Sequence, residues 1–215
     1  ETRCLLAVGH YKRFFPAAEQ IRSLIADQSF GRLQSIQLQE GGKFGWPVQN
    51  DSIFRSEKTP GGVLFDIGIH ALDLLHWWLD EPELKSYQDD AQGGLEANAK
   101  LELQWPEQKC SARLFFSRDW ETRNEWTFKF EQATLRWTVN NADYLQVELP
   151  DATPYRLDAS LLGVEGRPAR SHAQCFTQHL VHVIDAARQG TPLQTSIEDS
   201  VRVLRLIEEC YRWRN

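Results

Sequence analysis

Hydrophobic and polar positions divide the chain into helical ends and a strand-rich middle. Residues 3–9 are an apolar run ending at Gly9 and read as a short buried strand. Pro16 opens a helix carrying Ile21, Leu24 and Ile25 on one side, and Gly31 closes it. Over residues 33–40 apolar and polar side chains alternate, which predicts a strand ended by Gly41-Gly42. A loop of aromatic and turn residues covers 43–60. The strongest helical pattern runs over 62–79, and Asp80-Glu81-Pro82 stops it. The period then shortens to two, predicting strands at 84–90, 96–105, 109–117, 124–131, 134–139 and 144–149. A loop over 150–170 leads into two last helices, 171–189 and 196–213, separated by Gly190-Thr191-Pro192.

Short turns between consecutive strands favour antiparallel pairing, because parallel pairs need a long crossover. The predicted class is therefore α+β: a large, mostly antiparallel sheet of six or seven strands, covered on one face by helices from both chain ends. No Rossmann domain is predicted. Gly41-Gly42-Lys43-Phe44-Gly45 lacks the dinucleotide-fingerprint spacing, and no β-α-β succession surrounds it.

Alternation also places Trp105, Phe116, Trp126, Phe128, Trp137 and Tyr144 in the sheet, with Phe115-Phe116 sending one ring to each face. The uncovered face is thus expected to be partly aromatic, and such a face pairs two copies. Composition adds exclusions. A net charge of −6 argues against nucleic acid and anionic membranes as partners, since both need a basic surface. No apolar run approaches the roughly 20 residues of a bilayer span. Cys4, Cys110, Cys175 and Cys210 are far apart and form no CxxC pair, so they read as buried free thiols of a cytoplasmic protein. The sequence contains no methionine and opens inside a strand-like run, and it reads as part of a longer chain.

The stretch that carries chemistry is Gly61-Gly62 through Asp73. On a helix Asp66, His70 and Asp73 fall at i, i+4 and i+7, one polar stripe on an otherwise apolar segment. Burying such groups without partners is costly, so a network or a wet cleft is required. Three readings fit the spacing. His70 serves as a general base oriented by a carboxylate; or the three form a structural brace; or two carboxylates and an imidazole hold a metal ion. Lys43, Trp46 and Arg55, on the loop before this helix, are candidate substrate contacts. His179 and His182 share a helix face and read as a packed or solvated pair.

These residues resemble a known family, the glucose–fructose oxidoreductase, inositol dehydrogenase and MocA group. Its C-terminal domain carries GG-x-x-x-D-x-G-x-H-x-x-D, matched by Gly61, Gly62, Asp66, Gly68, His70 and Asp73. Val8 to Phe14 followed by Pro16 is similar to the junction after the family's nucleotide-binding domain. Phe30-Gly31-Arg32-Leu33 is similar to its turn into the first sheet strand. Ile184 to Ala187 through Gly190 and Pro192 to Cys210-Tyr211 resembles its closing helix pair. The resemblance implies a division of the chain: residues 1–10 as the end of a nucleotide-binding domain or a junction strand, and 11–215 as a C-terminal substrate-binding and oligomerisation domain. It implies NAD or NADP for the full-length protein, with none bound to this chain, and a sugar, sugar derivative or cyclitol as substrate. It also implies a homo-oligomer formed through the sheet face. His70 then matches the base, Asp66 the acid that orients it, and Asp73 a residue near substrate hydroxyls. The family's Glu-Lys-Pro motif is absent, since Glu57-Lys58 is followed by Thr59. The rival expectation is a cofactor-free binding or dimerisation module of the same fold.

Overall fold

A computed structural model describes residues 5–45, 47, 55, 57–158 and 171–214. Cys4 and Trp46 lie outside the described residues. Among these residues eight strands form one sheet: β1 (Leu33–Gly41), β2 (Glu83–Asp89), β3 (Asn98–Trp105), β4 (Cys110–Ser117), β5 (Glu125–Phe130), β6 (Thr134–Thr138), β7 (Tyr144–Glu148) and β8 (Tyr155–Asp158). Their order is β2-β3-β4-β1-β5-β6-β7-β8, and only β1 and β4 run parallel. Two antiparallel meanders thus flank the first strand, and the class is α+β as the sequence predicts. β8 falls inside the span read as loop. It is short and mostly exposed, so it lacks the alternation by which a strand is recognised.

Among the described residues four helices accompany the sheet: α1 (Pro16–Ala26), α2 (Ile69–Leu79), α3 (His172–Gln189) and α4 (Ile197–Arg212). Pro16 occupies the first turn of α1, where its missing N–H costs nothing. Ser171 and Ser196 cap α3 and α4 by accepting from Gln174 and Asp199 backbone N–H groups. Gly190 ends α3 in the left-handed conformation. The core lies between α1, α2 and the inner sheet face. Trp78 of α2 meets Trp126, Phe128 and Trp137 edge-on, at ring separations of 5.4, 5.5 and 6.1 Å.

Two expectations are corrected here. Residues 5–9 form no strand, and Leu5 and Leu6 are 48% and 60% exposed. An apolar run alone does not make a strand without a neighbour to pair with. Secondly, Trp105, Phe116, Trp126, Phe128 and Trp137 all point to the helix-covered side and are buried. The opposite face shows Gln37, Gln39, Lys100, Glu102, Arg113 and Gln146 to solvent, with Phe115 and Tyr144 half-covered beside Lys100 and Arg156. Alternation leaves that face mainly polar, with Phe115 and Tyr144 as its aromatic rings, fewer than expected. Cys110, Cys175 and Cys210 are free and buried. Among the described residues, no helix is long and apolar enough to cross a membrane.

Candidate active site

The segment read as one helix from 62 to 79 is two structures in series. A π turn (Leu64–Gly68) precedes α2. A π turn closes its hydrogen bonds one residue later than an α turn, so it rotates the side chains before it relative to those after it. The 66/70/73 stripe is therefore broken: Asp66 is exposed, His70 half-buried and Asp73 fully buried.

Glycine and a buried carboxylate fix the start of this segment. A Cβ on Gly62 would lie 2.0 Å from the Glu96 carbonyl oxygen, so no other residue fits that approach. Glu96 Oε1 accepts from the Gly62 and Leu64 N–H groups at 3.0 and 3.1 Å, satisfying donors that a helix start leaves open. The Tyr211 hydroxyl donates to the same oxygen at 2.8 Å, and Arg214 donates to Oε2 at 2.6 Å. The last helix of the chain is thus tied to the first turn of the site.

A cleft of about 610 Å³ opens between a 3-10 turn (Tyr11–Phe14), the end of β1, the π turn and the start of α3. Lys12, Glu40, Asp66, His70, Arg118 and Asn124 line it, with Lys43 and His172 at its sides. His70 Nδ1 is buried and meets no hydrogen-bond partner among the described residues. Burial, then the Lys12 cation, pushes the His70 pKa down to about 4, so the imidazole is neutral near pH 7. Asp66 gives its carboxylate to Arg118, whose Nε donates to Oδ2 at 2.9 Å and whose Nη2 donates to the same oxygen. Its influence on His70 is through space, raising the pKa against the larger effect of burial. The orienting hydrogen bond expected from Asp66 to His70 is absent among the described residues.

Asp73 does not reach the cleft. Arg13 grips it with two hydrogen bonds, Nε to Oδ2 at 3.0 Å and Nη2 to Oδ1 at 2.6 Å, with both side chains 1% exposed. Arg13 also donates to Asp199 at 2.9 Å and to the Gln194 carbonyl at 2.7 Å. His10 packs beside this pair and bonds Ser200 at 3.0 Å. This hub joins the N-terminal segment, α2 and α4. The Asp73 oxygens, expected near substrate hydroxyls, are engaged by Arg13 inside the protein.

Lys43 is exposed at the cleft rim, while Arg55 is exposed away from the cleft lining. His179 and His182 are packed on Phe14 and bonded to Thr195 and the Gln194 N–H. Among the described residues no group of three His, Cys, Asp or Glu side chains is placed to hold a metal ion. Lys12, Glu40, Arg118, Asn124, Tyr11 and His172 escaped sequence reasoning. For Glu40 a signal existed: it falls in phase with inward-facing Ile36 and Leu38 on β1. A second groove, about 770 Å³, lies between α2 and α4 and is lined by Glu81, Arg202, Arg205, Glu208 and Arg212. It holds none of the groups that surround His70.

Residues 18–136 match the sequence model of the GFO/IDH/MocA C-terminal domain, more than half of the chain. The chain belongs to that family. No curated protein matches it. Solved structures share its fold at low identity. Aldose-aldose oxidoreductase from Caulobacter crescentus, complexed with glycerol, gives a TM-score of 0.79 at 19% identity, covering 97% of this chain and 61% of its own. A levoglucosan dehydrogenase complexed with NADH and levoglucosan gives 0.82 at 14%, covering 96% and 63%. An oxidoreductase from Agrobacterium radiobacter with NAD+, L-tartaric acid and magnesium gives 0.71 at 18%, covering 97% and 62%. The chain therefore spans less than two thirds of the length of these structures.

Proposed function

We propose that this chain is the substrate-binding half of an NAD(P)-dependent oxidoreductase acting on a hydroxyl of a sugar, sugar derivative or cyclitol. One observation carries the reading: a neutral, half-buried imidazole with an unpartnered nitrogen, set in a cleft of hydroxyl-matching groups. Such an imidazole accepts the hydroxyl proton as the carbinol carbon is oxidised. Lys12, kept beside it by Glu40, offers a cation to the developing alkoxide. Arg118 and Asp66 fix the cleft wall, and Asn124 bonds the Gly41 N–H and carbonyl at 2.8 and 2.9 Å to shape its floor.

This chain alone is not expected to hold a dinucleotide. The described residues contain no glycine-rich turn between a strand and a helix, the arrangement that cradles a pyrophosphate. The hydride acceptor belongs to a second domain on this reading, with residues 1–10 its end or a junction strand and 11–215 the substrate-binding and oligomerisation domain. Phe176, Leu180, Val181 and Ile184 of α3 are exposed together with Leu5 and Leu6, a surface suited to packing against it. Pairing of copies through the open sheet face follows from the family resemblance, and a cytoplasmic location from the widely spaced free cysteines. The rival binding or dimerisation module needs no proton acceptor, and the unpartnered His70 favours the enzyme.

The test is calorimetry with NADH and NMR of the histidine rings on this chain, after circular dichroism has shown it folded. NADH should bind more weakly than about 100 µM, a free energy smaller than roughly 5.5 kcal/mol, while millimolar levoglucosan or glycerol shifts the His70 ring resonances. Tight NADH binding, or no response to either polyol, would overturn the reading.

A further inference from the structure

Two buried polar atoms of the cleft lack a partner among the described residues: His70 Nδ1 and Glu40 Oε2. Glu40 is 7% exposed, and Lys12 donates to its other oxygen, Oε1, at 3.1 Å. A buried carboxylate oxygen left without a donor is costly, and native structures avoid it unless the site is made to be filled. The neighbouring groups do not fill it. Asn124 is bonded to Gly41, Arg118 to Asp66, and the Tyr11 hydroxyl meets His172 Nε2 at 2.7 Å. Lys12 has three N–H donors and gives one to Glu40.

The formal charges lining the cleft are also balanced. Lys12, Lys43 and Arg118 face Glu40, Asp66 and Glu121. A balanced site offers an anion no net attraction, and Glu40 at its inner end repels one.

We propose that Glu40 is the residue by which the cleft reads its substrate, its free oxygen Oε2 accepting the hydrogen of a second hydroxyl on a neutral polyol. This rests on the polyol reading above and goes further by naming the specificity group and the ligand it rejects. A polyol satisfies both orphan atoms at once: one hydroxyl donates to His70, another to Glu40, and the Lys12 amine donates to the hydroxyl oxygens. A sugar acid places a carboxylate there, which has no hydrogen to give and meets a like charge. Glu40 is then a binding residue that orients the carbinol toward His70.

Calorimetry on the full-length protein carrying this domain tests the assignment, with levoglucosan, glycerol and L-tartrate as probes. Glu40→Gln should weaken levoglucosan and glycerol by about 10-fold or more, because a charged acceptor is lost. L-tartrate should bind as before or more tightly, since the cleft has become cationic. Glu40→Gln leaves Lys12 buried without its counter-ion, so Lys12→Met/Glu40→Gln is measured beside it; that double variant should recover the melting temperature and still lose the preference for polyol. A folded Glu40→Gln or double variant that keeps the wild-type polyol-to-tartrate ratio overturns this inference alone. A wild-type protein that binds neither polyol overturns the polyol reading together with it.

Discussion

His70→Ala should lower turnover of the full-length enzyme by about 10²–10⁴ with only a modest change in substrate affinity, as expected for loss of a general base. The neutral imidazole stands in the cleft with an open nitrogen, and alanine removes that proton acceptor. The pH profile carries a second signature. An ordinary imidazole titrates near 6.5, whereas burial and the Lys12 cation bring His70 down to about 4. The base is therefore unprotonated above about pH 5, and kcat/KM should stay level from neutrality down to that region before falling. The acid limb should vanish in His70→Ala. Near-normal turnover in the variant, or a wild-type limb centred at 6.5, would exclude His70 as the base.

Asp73→Ala should destabilise the fold by about 3–5 kcal/mol in chemical denaturation, the usual cost of breaking a buried ion pair from one side. Arg13 is left 1% exposed, with Asp199 and the Gln194 carbonyl as its remaining hydrogen-bond partners among the described residues. A substrate contact would behave oppositely, changing affinity while leaving stability nearly intact. The hub also confers acid sensitivity. His10, 3% exposed, has its pKa lowered from 6.5 to about 4 by burial and by Arg13. The unfolded chain takes up the proton first as pH falls. The stability from the neutral ring is thus fully present above pH 6.5 and lost progressively down to about pH 4, amounting to about 3 kcal/mol. A loss below 1 kcal/mol in Asp73→Ala would return Asp73 to the list of substrate contacts.

The fold was legible because burial imposes its period on the sequence. From Ile36 to Glu40, from Asn98 to Trp105 and from Thr134 to Thr138, alternate residues are buried and exposed as the pattern predicts. Where the ladder slips, the pattern slips too: Leu33 and Ile36 are both inward because a bulge lies between Leu33 and Ser35. The site was legible in part. His70 is found from its residue type and the glycines before it, but the π turn that separates it from Asp66 leaves no mark in a count of 3.6 residues per turn. The Arg13–Asp73 pair spans 60 positions, and Lys12–Glu40 spans 28. Side chains so far apart meet only because the 3-10 turn lies against the inner sheet and α2, which no local pattern records.

A crystal structure of the full-length protein soaked with levoglucosan tests the central claim most directly. The account places the sugar between Lys12, Glu40 and His70, with one hydroxyl within about 3.2 Å of the imidazole. Sugar density confined to the groove between α2 and α4, with the His70 cleft empty, would contradict it.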